Sequence, residues 1–280
     1  MKRIIGLLLA SIIVLSACSG GGSSKKVTVG VASNDTAAWE KVKELAKKDD
    51  IDLEIKHFSD YNVPNKALSD GDIDMNAFQH FAFLNEYKKA HKDAKIEAMS
   101  TTVLAPLGIY SKKVKDIKNV KDGAQVMIPN DVSNQARALK LLESAGLIKL
   151  KDNFDLSSTT KDIKDNPKHL KIKEVDAQQT ARALDDVDIS VINNGVATKA
   201  GLDAKKDPIY LESSTSEAVK PYINLIAVNS KDKDNKTYKK IVDLYHSKEA
   251  QEALKKDTKD GEKAVDLSRK EIKDIEDSLK

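Results

Sequence analysis

The feature that most constrains this chain is an alternation of short β-rich runs with helical segments that proceeds once, stops and starts again. Val27-Thr28-Val29-Gly30-Val31 is β-rich, and Asp35-Thr36 after it offers a helix N-cap. Trp39, Val42, Leu45 and Ala46 then recur at helical spacing. Ile51, Leu53 and Ile55 alternate with charged residues as a second strand. Pro64 suits the first residue of a short helix, where its missing N–H leaves nothing unpaired. Asp70-Gly71-Asp72 reads as a turn, and Ile73 to Phe78 as a third strand. This β-α-β-α-β order implies a largely parallel sheet.

The pattern restarts at Gln125-Val126-Met127-Ile128, a strand ended by Pro129. Ser133 to Ala145 is expected as a helix, with Gly146 as its C-cap. Leu170 to Val175 is a further strand, Gln178 to Leu184 a helix, and Ile189 to Ile192 another strand. Tyr222 to Val228 is a long apolar run suited to joining the two halves, and the charged remainder from Asn235 is helical. Two α/β units with a return segment favour two lobes and a cleft, since ligands of such sheets sit beyond the carboxyl ends of the strands. A single larger α/β domain satisfies the periodicity as well.

The N-terminus is an address. Lys2 and Arg3 precede an apolar run from Ile4 to Leu15, too short to span a bilayer, which takes about 20 apolar residues. Leu15-Ser16-Ala17-Cys18 looks like a bacterial lipobox, in which the Cys takes a diacylglycerol and the chain is cut before it; the plain alternative is a signal peptide with an incidental Cys. Residues 1–17 are thus expected as a lipoprotein signal peptide, and 18–24 as the lipidated Cys18 with a flexible Gly/Ser tether. Removing Lys2 and Arg3 lowers the formal charge from +3 to +1. So balanced a charge argues against nucleic-acid binding. One Cys excludes an intramolecular disulfide framework and a Cys-based zinc cage.

Catalytic patterns are missing. There is no G-x-S-x-G, no H-E-x-x-H and no P-loop. His57, His80, His91, His169 and His246 show no metal-ligand spacing on a helix, although folding can gather distant residues. No enzyme activity, cofactor or metal is expected.

Three features point instead to binding. Phe58, Tyr61, Phe78, Phe81, Phe83 and Tyr87 gather six of the chain's 13 aromatics into one stretch. Polar Asn76, Gln79 and His80 are interleaved just after a predicted strand. An ordinary aromatic core explains any single ring; the group favours a partly open apolar pocket. Arg137, in a helix opened by Pro129-Asn130-Asp131-Val132-Ser133, is either a surface Arg or a bidentate grip on a carboxylate. Asn193 and Asn194 before Gly195, and Asn224 in another apolar run, are turn formers or neutral acceptors for an ammonium group. Cation, acceptors and apolar pocket together suit an α-amino acid, and ring edges suit a thioether.

With these residues the chain resembles the NlpA/MetQ family of substrate-binding lipoproteins, which serve methionine ABC importers. The resemblance runs from the lipobox to about residue 250. It rests on Phe58-Ser59-Asp60-Tyr61, Asp74-Met75-Asn76-Ala77-Phe78-Gln79-His80, Pro106-Leu107-Gly108-Ile109-Tyr110-Ser111, Ile128-Pro129-Asn130-Asp131, Arg137-Ala138-Leu139, Ala145-Gly146-Leu147-Ile148, Ala183-Leu184-Asp185-Asp186-Val187-Asp188 and Tyr222-Ile223-Asn224-Leu225, with Pro64-Asn65 besides. It implies an α/β, two-lobed periplasmic-binding-protein fold of type II-like form with the ligand between the lobes. Lobe 1 is expected over 25–108 plus 226–280, and lobe 2 over 109–225.

By matching position, Arg137 corresponds to the carboxylate clamp, Asn193 and Asn224 to the residues holding the amino end, and Tyr61, Phe78 and His80 to the pocket for the thioether side chain. Asn194, Val196 and Phe83 are candidates for specificity. Val196 departs from the family, which often carries Tyr there, and the smaller residue is expected to widen the amino end. Some members accept short methionine peptides, so the expected ligand is methionine or a methionine-containing dipeptide. The implied partners are an ABC permease and its ATPase, with the lipid anchor tying a monomer to the outer face of the cell membrane. A lipid-anchored adhesin and a hydrolase lipoprotein are the rivals from other classes.

Overall fold

The computed structural model describes residues 24–32, 36–215 and 217–280. The signal segment, Cys18 and the N-cap expected at Asp35 lie outside the described residues. Two large sheets organise the rest, with a small two-stranded one formed by Lys149–Leu150 and Ile163–Asp165. The first has six strands in the order Lys263–Ala264, Ile96–Leu104, Ile223–Asn229, Met75–His80, Lys25–Val31, Ile51–His57. The second has five, in the order Tyr210–Leu211, Gly108–Tyr110, Ile189–Ile192, Gln125–Pro129, Lys171–Val175.

Both sheets are mixed, where a largely parallel one was expected. Lys25–Val31 is parallel to Ile51–His57 and to Met75–His80. Ile223–Asn229 enters between Met75–His80 and Ile96–Leu104, antiparallel to each. It is a return strand wholly inside the first sheet. The run beginning at Tyr222 therefore does not bridge the halves, and Ile223 to Leu225 pair in the first sheet rather than the second. The reason is apolarity on both faces: Leu225, Ile226, Ala227 and Val228 are all fully buried, which only a central strand allows. The chain crosses between sheets at 105–107 and again over 212–222, the latter ending in a 3-10 turn over Glu217–Tyr222.

Each lobe has its own core. In the first, Trp39, Val42, Tyr245 and Leu254 cover one face of the sheet, and Leu68, Phe81, Leu84 and Ile272 cover the other. In the second, Leu139, Leu142, Leu147 and Ile148 pack on Ile109, Val126, Ile128 and Val191. The helix Val132–Ser144 ends as its sequence demands. Gly146 takes φ 74°, its N–H donates to Glu143 O at 2.8 Å, and Leu147 N–H donates to Leu142 O at 3.0 Å. Among the described residues no helix is long and apolar enough to cross a membrane.

Candidate ligand-binding cleft

The third strand of the chain, Met75–His80, is buried at every position and ends at the lobe junction. Beneath it Asn65, Asn76 and Gln79 satisfy one another at 2.6 to 3.0 Å, which removes the cost of burying three amides. His80 then turns the strand into the helix Phe81–Ala90 and caps it: Phe83 N–H donates to His80 Nδ1 at 3.1 Å. Because Nδ1 accepts, the ring proton sits on Nε2. That nitrogen faces Asn134 Oδ1 in the other lobe, 3.2 Å away. A second proton would place N–H against N–H at the cap. Burial, reinforced by the nearby Arg137 charge, pushes the His80 pKa down to about 3.

The second lobe answers with the helix Val132–Ser144. Asp131 is its N-cap and accepts from Asn134 N–H at 3.0 Å and from Asn134 Nδ2 at 2.9 Å. Burial pushes the Asp131 carboxyl above its ordinary range against those bonds. With Asn134 Nδ2 held, its Oδ1 is free to accept from His80 and also from Asn193 Nδ2 at 2.8 Å. Asn193 in turn keeps its Oδ1 buried without a hydrogen-bond partner, and so does Asn194. Two buried acceptors at the end of the strand Ile189–Ile192 therefore await donors.

Arg137 lies one helical turn beyond Asn134, on the same face. It is 3% exposed and is held from three sides. Nε donates to Glu212 Oε1 at 2.9 Å, Nη2 to Glu212 Oε2 at 2.5 Å and to Ala105 O at 3.0 Å. The guanidinium carbon stands 4.4 Å from the centre of the Tyr222 ring. Glu212 Oε2 also accepts from Leu107 N–H at 3.1 Å. Ala105, Leu107, Glu212 and Tyr222 all belong to the two crossover segments, so Arg137 is anchored where the chain passes between the sheets.

These groups wall one cavity. Its volume out to the mouth is about 580 Å³, within the range of small-molecule sites. Six sequence candidates line it: Arg137, Asn193, Asn224, Tyr61, Phe78 and His80. Phe83 and Asn194 line it too. The rings of Tyr61, Phe78 and Phe83 meet at 5.5 to 6.3 Å between centroids, mostly edge to face. Val196 does not line the cavity. It is packed with Tyr110, Leu184 and Ile192 in the second-lobe core, so its small size does not widen the amino end.

Sequence reasoning missed Asn134 and Glu262, which line the cavity, and Glu212, which holds Arg137. Asn134 had a signal, its three-residue spacing from Arg137. Glu212 had none, being 75 positions from its partner. Among the described residues no cluster of His, Cys, Asp and Glu could hold a metal ion.

The chain has known relatives. A family model described as NlpA lipoprotein matches residues 27–266. The probable D-methionine-binding lipoprotein MetQ of Haemophilus influenzae is 41% identical over 261 residues, covering 90% of this chain and 94% of that protein. Protein PG110 from Staphylococcus aureus is 79% identical with a TM-score of 0.90, covering 91% of this chain and all of that one. A nutrient binding protein from Burkholderia cenocepacia, solved bound to methionine, is 44% identical with a TM-score of 0.81, covering 85% of this chain and 99% of the other. The two-lobed α/β architecture is theirs as well, and this chain belongs to the NlpA lipoprotein family.

Proposed function

We propose that this protein is a non-catalytic receptor, tethered to the membrane through Cys18, which captures methionine in the cleft and delivers it to an ABC importer. One observation carries the reading: a cavity that joins a cluster of rings from the first lobe to an arginine and two unpartnered amide oxygens from the second. The thioether side chain packs against Tyr61, Phe78 and Phe83. The ammonium donates to Asn193 Oδ1, with Asn224 beside it, and the carboxylate meets Arg137, whose Nη1 makes no hydrogen bond to a described residue. A ligand so placed bridges both lobes and stabilises the closed form over the open one, the signal a permease and its ATPase can recognise. The methionine named for the relatives supports this choice of ligand.

Isothermal titration of residues 25–280 with L- and D-methionine tests the reading. Heat on mixing is expected, and it is lost in Arg137→Ala; heat surviving in that variant overturns the clamp. A second reading, a methionine-containing dipeptide, draws on Asn194, whose buried oxygen extends the acceptors past Asn193 toward Gly195 and Glu262. Competition between methionine and dipeptides for the purified protein decides between the two.

A further inference from the structure

Arg137 reaches the cleft with its charge already compensated. The Glu212 carboxylate grips it through two parallel bonds, and the pair is shielded from water, at 3% and 13% side-chain exposure. Charges so close in so dry a place cancel most of each other's field at the distance of a ligand. A ligand carboxylate therefore finds a hydrogen-bond donor at Arg137, with little net positive potential behind it. Elsewhere in the lining the buried oxygens of Asn193 and Asn194 are acceptors, and the Glu262 carboxyl lines the same cavity. None of these groups favours a net anion, and the amide oxygens call for a donor.

We propose that Glu212 is a specificity-determining residue: by compensating Arg137 it makes the cleft reject carboxylate ligands that lack an ammonium group, such as 2-hydroxy and N-acylated acids. Glu212 acts through Arg137 and does not itself touch the ligand, so it is a positioning residue. The choice of probe rests on the methionine reading above. The 2-hydroxy analogue of methionine has the same shape and the same carboxylate, with a hydroxyl in place of the ammonium.

Titration of wild type, Glu212→Gln and Glu212→Asp with both compounds gives the affinity ratio of methionine to its hydroxy analogue. Wild type is expected to favour methionine strongly. Glu212→Gln removes the compensating charge and keeps most of the shape, and its ratio is expected to fall roughly tenfold or more. Glu212→Asp keeps the charge and is expected to keep the preference. A merely structural Glu212 would weaken both compounds in proportion, and an unchanged ratio in Glu212→Gln overturns the proposal. Near parity of the two compounds in wild type overturns it without any variant, even if Glu212→Gln fails to fold. If wild type binds neither, the methionine reading is what fails. Alanyl-methionine against lactyl-methionine then supplies the same ratio, and the claim about Glu212 is still decided.

Discussion

The two walls of the cleft are built on opposite plans. The first-lobe wall carries the rings, Tyr61, Phe78 and Phe83, with His80 kept uncharged among them, and adds polar Gln79, Thr102, Asn224 and Glu262 around that cluster. The second-lobe wall is made of amides and a guanidinium, each fixed by a partner and each with atoms left over. Apolar contact is tolerant of shape and hydrogen bonding is not, so the second lobe is suited to recognise the ligand's charged head and the first to accept its side chain. Among the described residues, His80 with Asn134 and Asn194 Nδ2 donating to Gly261 O join the two walls directly.

The sharpest way to break this contrast is Arg137→Ala. It leaves Glu212 enclosed without its cation, and removing one partner of a buried pair costs about 3–5 kcal/mol. Denaturant unfolding is expected to show that loss together with the loss of ligand heat. Arg137→Ala combined with Glu212→Ala is expected to recover part of the stability and none of the binding. A single variant within about 1 kcal/mol of wild type would mean that the pair does not anchor the crossover segments.

His80 tests the other wall through pH. Its folded pKa of about 3 lies below the ordinary value of 6.5, so the unfolded chain takes up the proton first on acidification. The stability linked to this residue is fully present above pH 6.5 and is lost as pH falls from there toward 3, by about 1.4 kcal/mol per pH unit once the unfolded side chain is protonated. Unfolding free energies measured between pH 7 and pH 4.5 are expected to fall less steeply in His80→Gln than in wild type. Parallel slopes would show that His80 is solvated and free to charge.

Asn134→Ala is expected to have a smaller effect. It strips one acceptor from both His80 and Asn193, and a buried donor left unsatisfied costs about 1–3 kcal/mol. Methionine affinity is expected to drop about tenfold or more, because Asn193 loses the bond that orients its free oxygen toward the cavity. Retained affinity would place the control of Asn193 elsewhere, in the backbone of the helix Asn194–Lys199.

How much of this was legible beforehand depended on how local the cause was. The strand Ile189–Ile192 was visible as a fully apolar run and appears with those bounds. The helix Val132–Ser144 was visible from its cap, its stripe and Gly146, and is displaced by one residue. The third strand begins at Met75 rather than Ile73, because Ile73 is a core residue at the turn with no ladder partner. The strand Ile96–Leu104 gave no clear signal, since Ser100, Thr101 and Thr102 interrupt its apolar run although all three are buried. Residue types at the cleft were legible from the aromatic cluster and the lone helix Arg. What each would touch was not: Glu212 finds Arg137 only once the whole second sheet has formed, at the point where the chain leaves its last strand, and Val196 turns away from the cleft into the core.

The smallest effect is expected at Phe83, and it probes whether the first-lobe wall is as tolerant as its chemistry implies. Phe83 meets Phe78 edge to face at 5.5 Å and Tyr61 at 6.3 Å, and it is only partly buried. Phe83→Leu keeps an apolar contact of similar reach and removes the ring–ring geometry, which is worth about 0.5–1.5 kcal/mol beyond area. Its backbone N–H still caps on His80, so the helix start is unchanged. Methionine affinity is expected to weaken by no more than about tenfold, with norleucine losing less than methionine because it lacks the sulfur that ring edges favour. Equal losses for the two ligands would show that the wall reads volume alone. A loss as large as that of Arg137→Ala would erase the division between a recognising lobe and an accepting one.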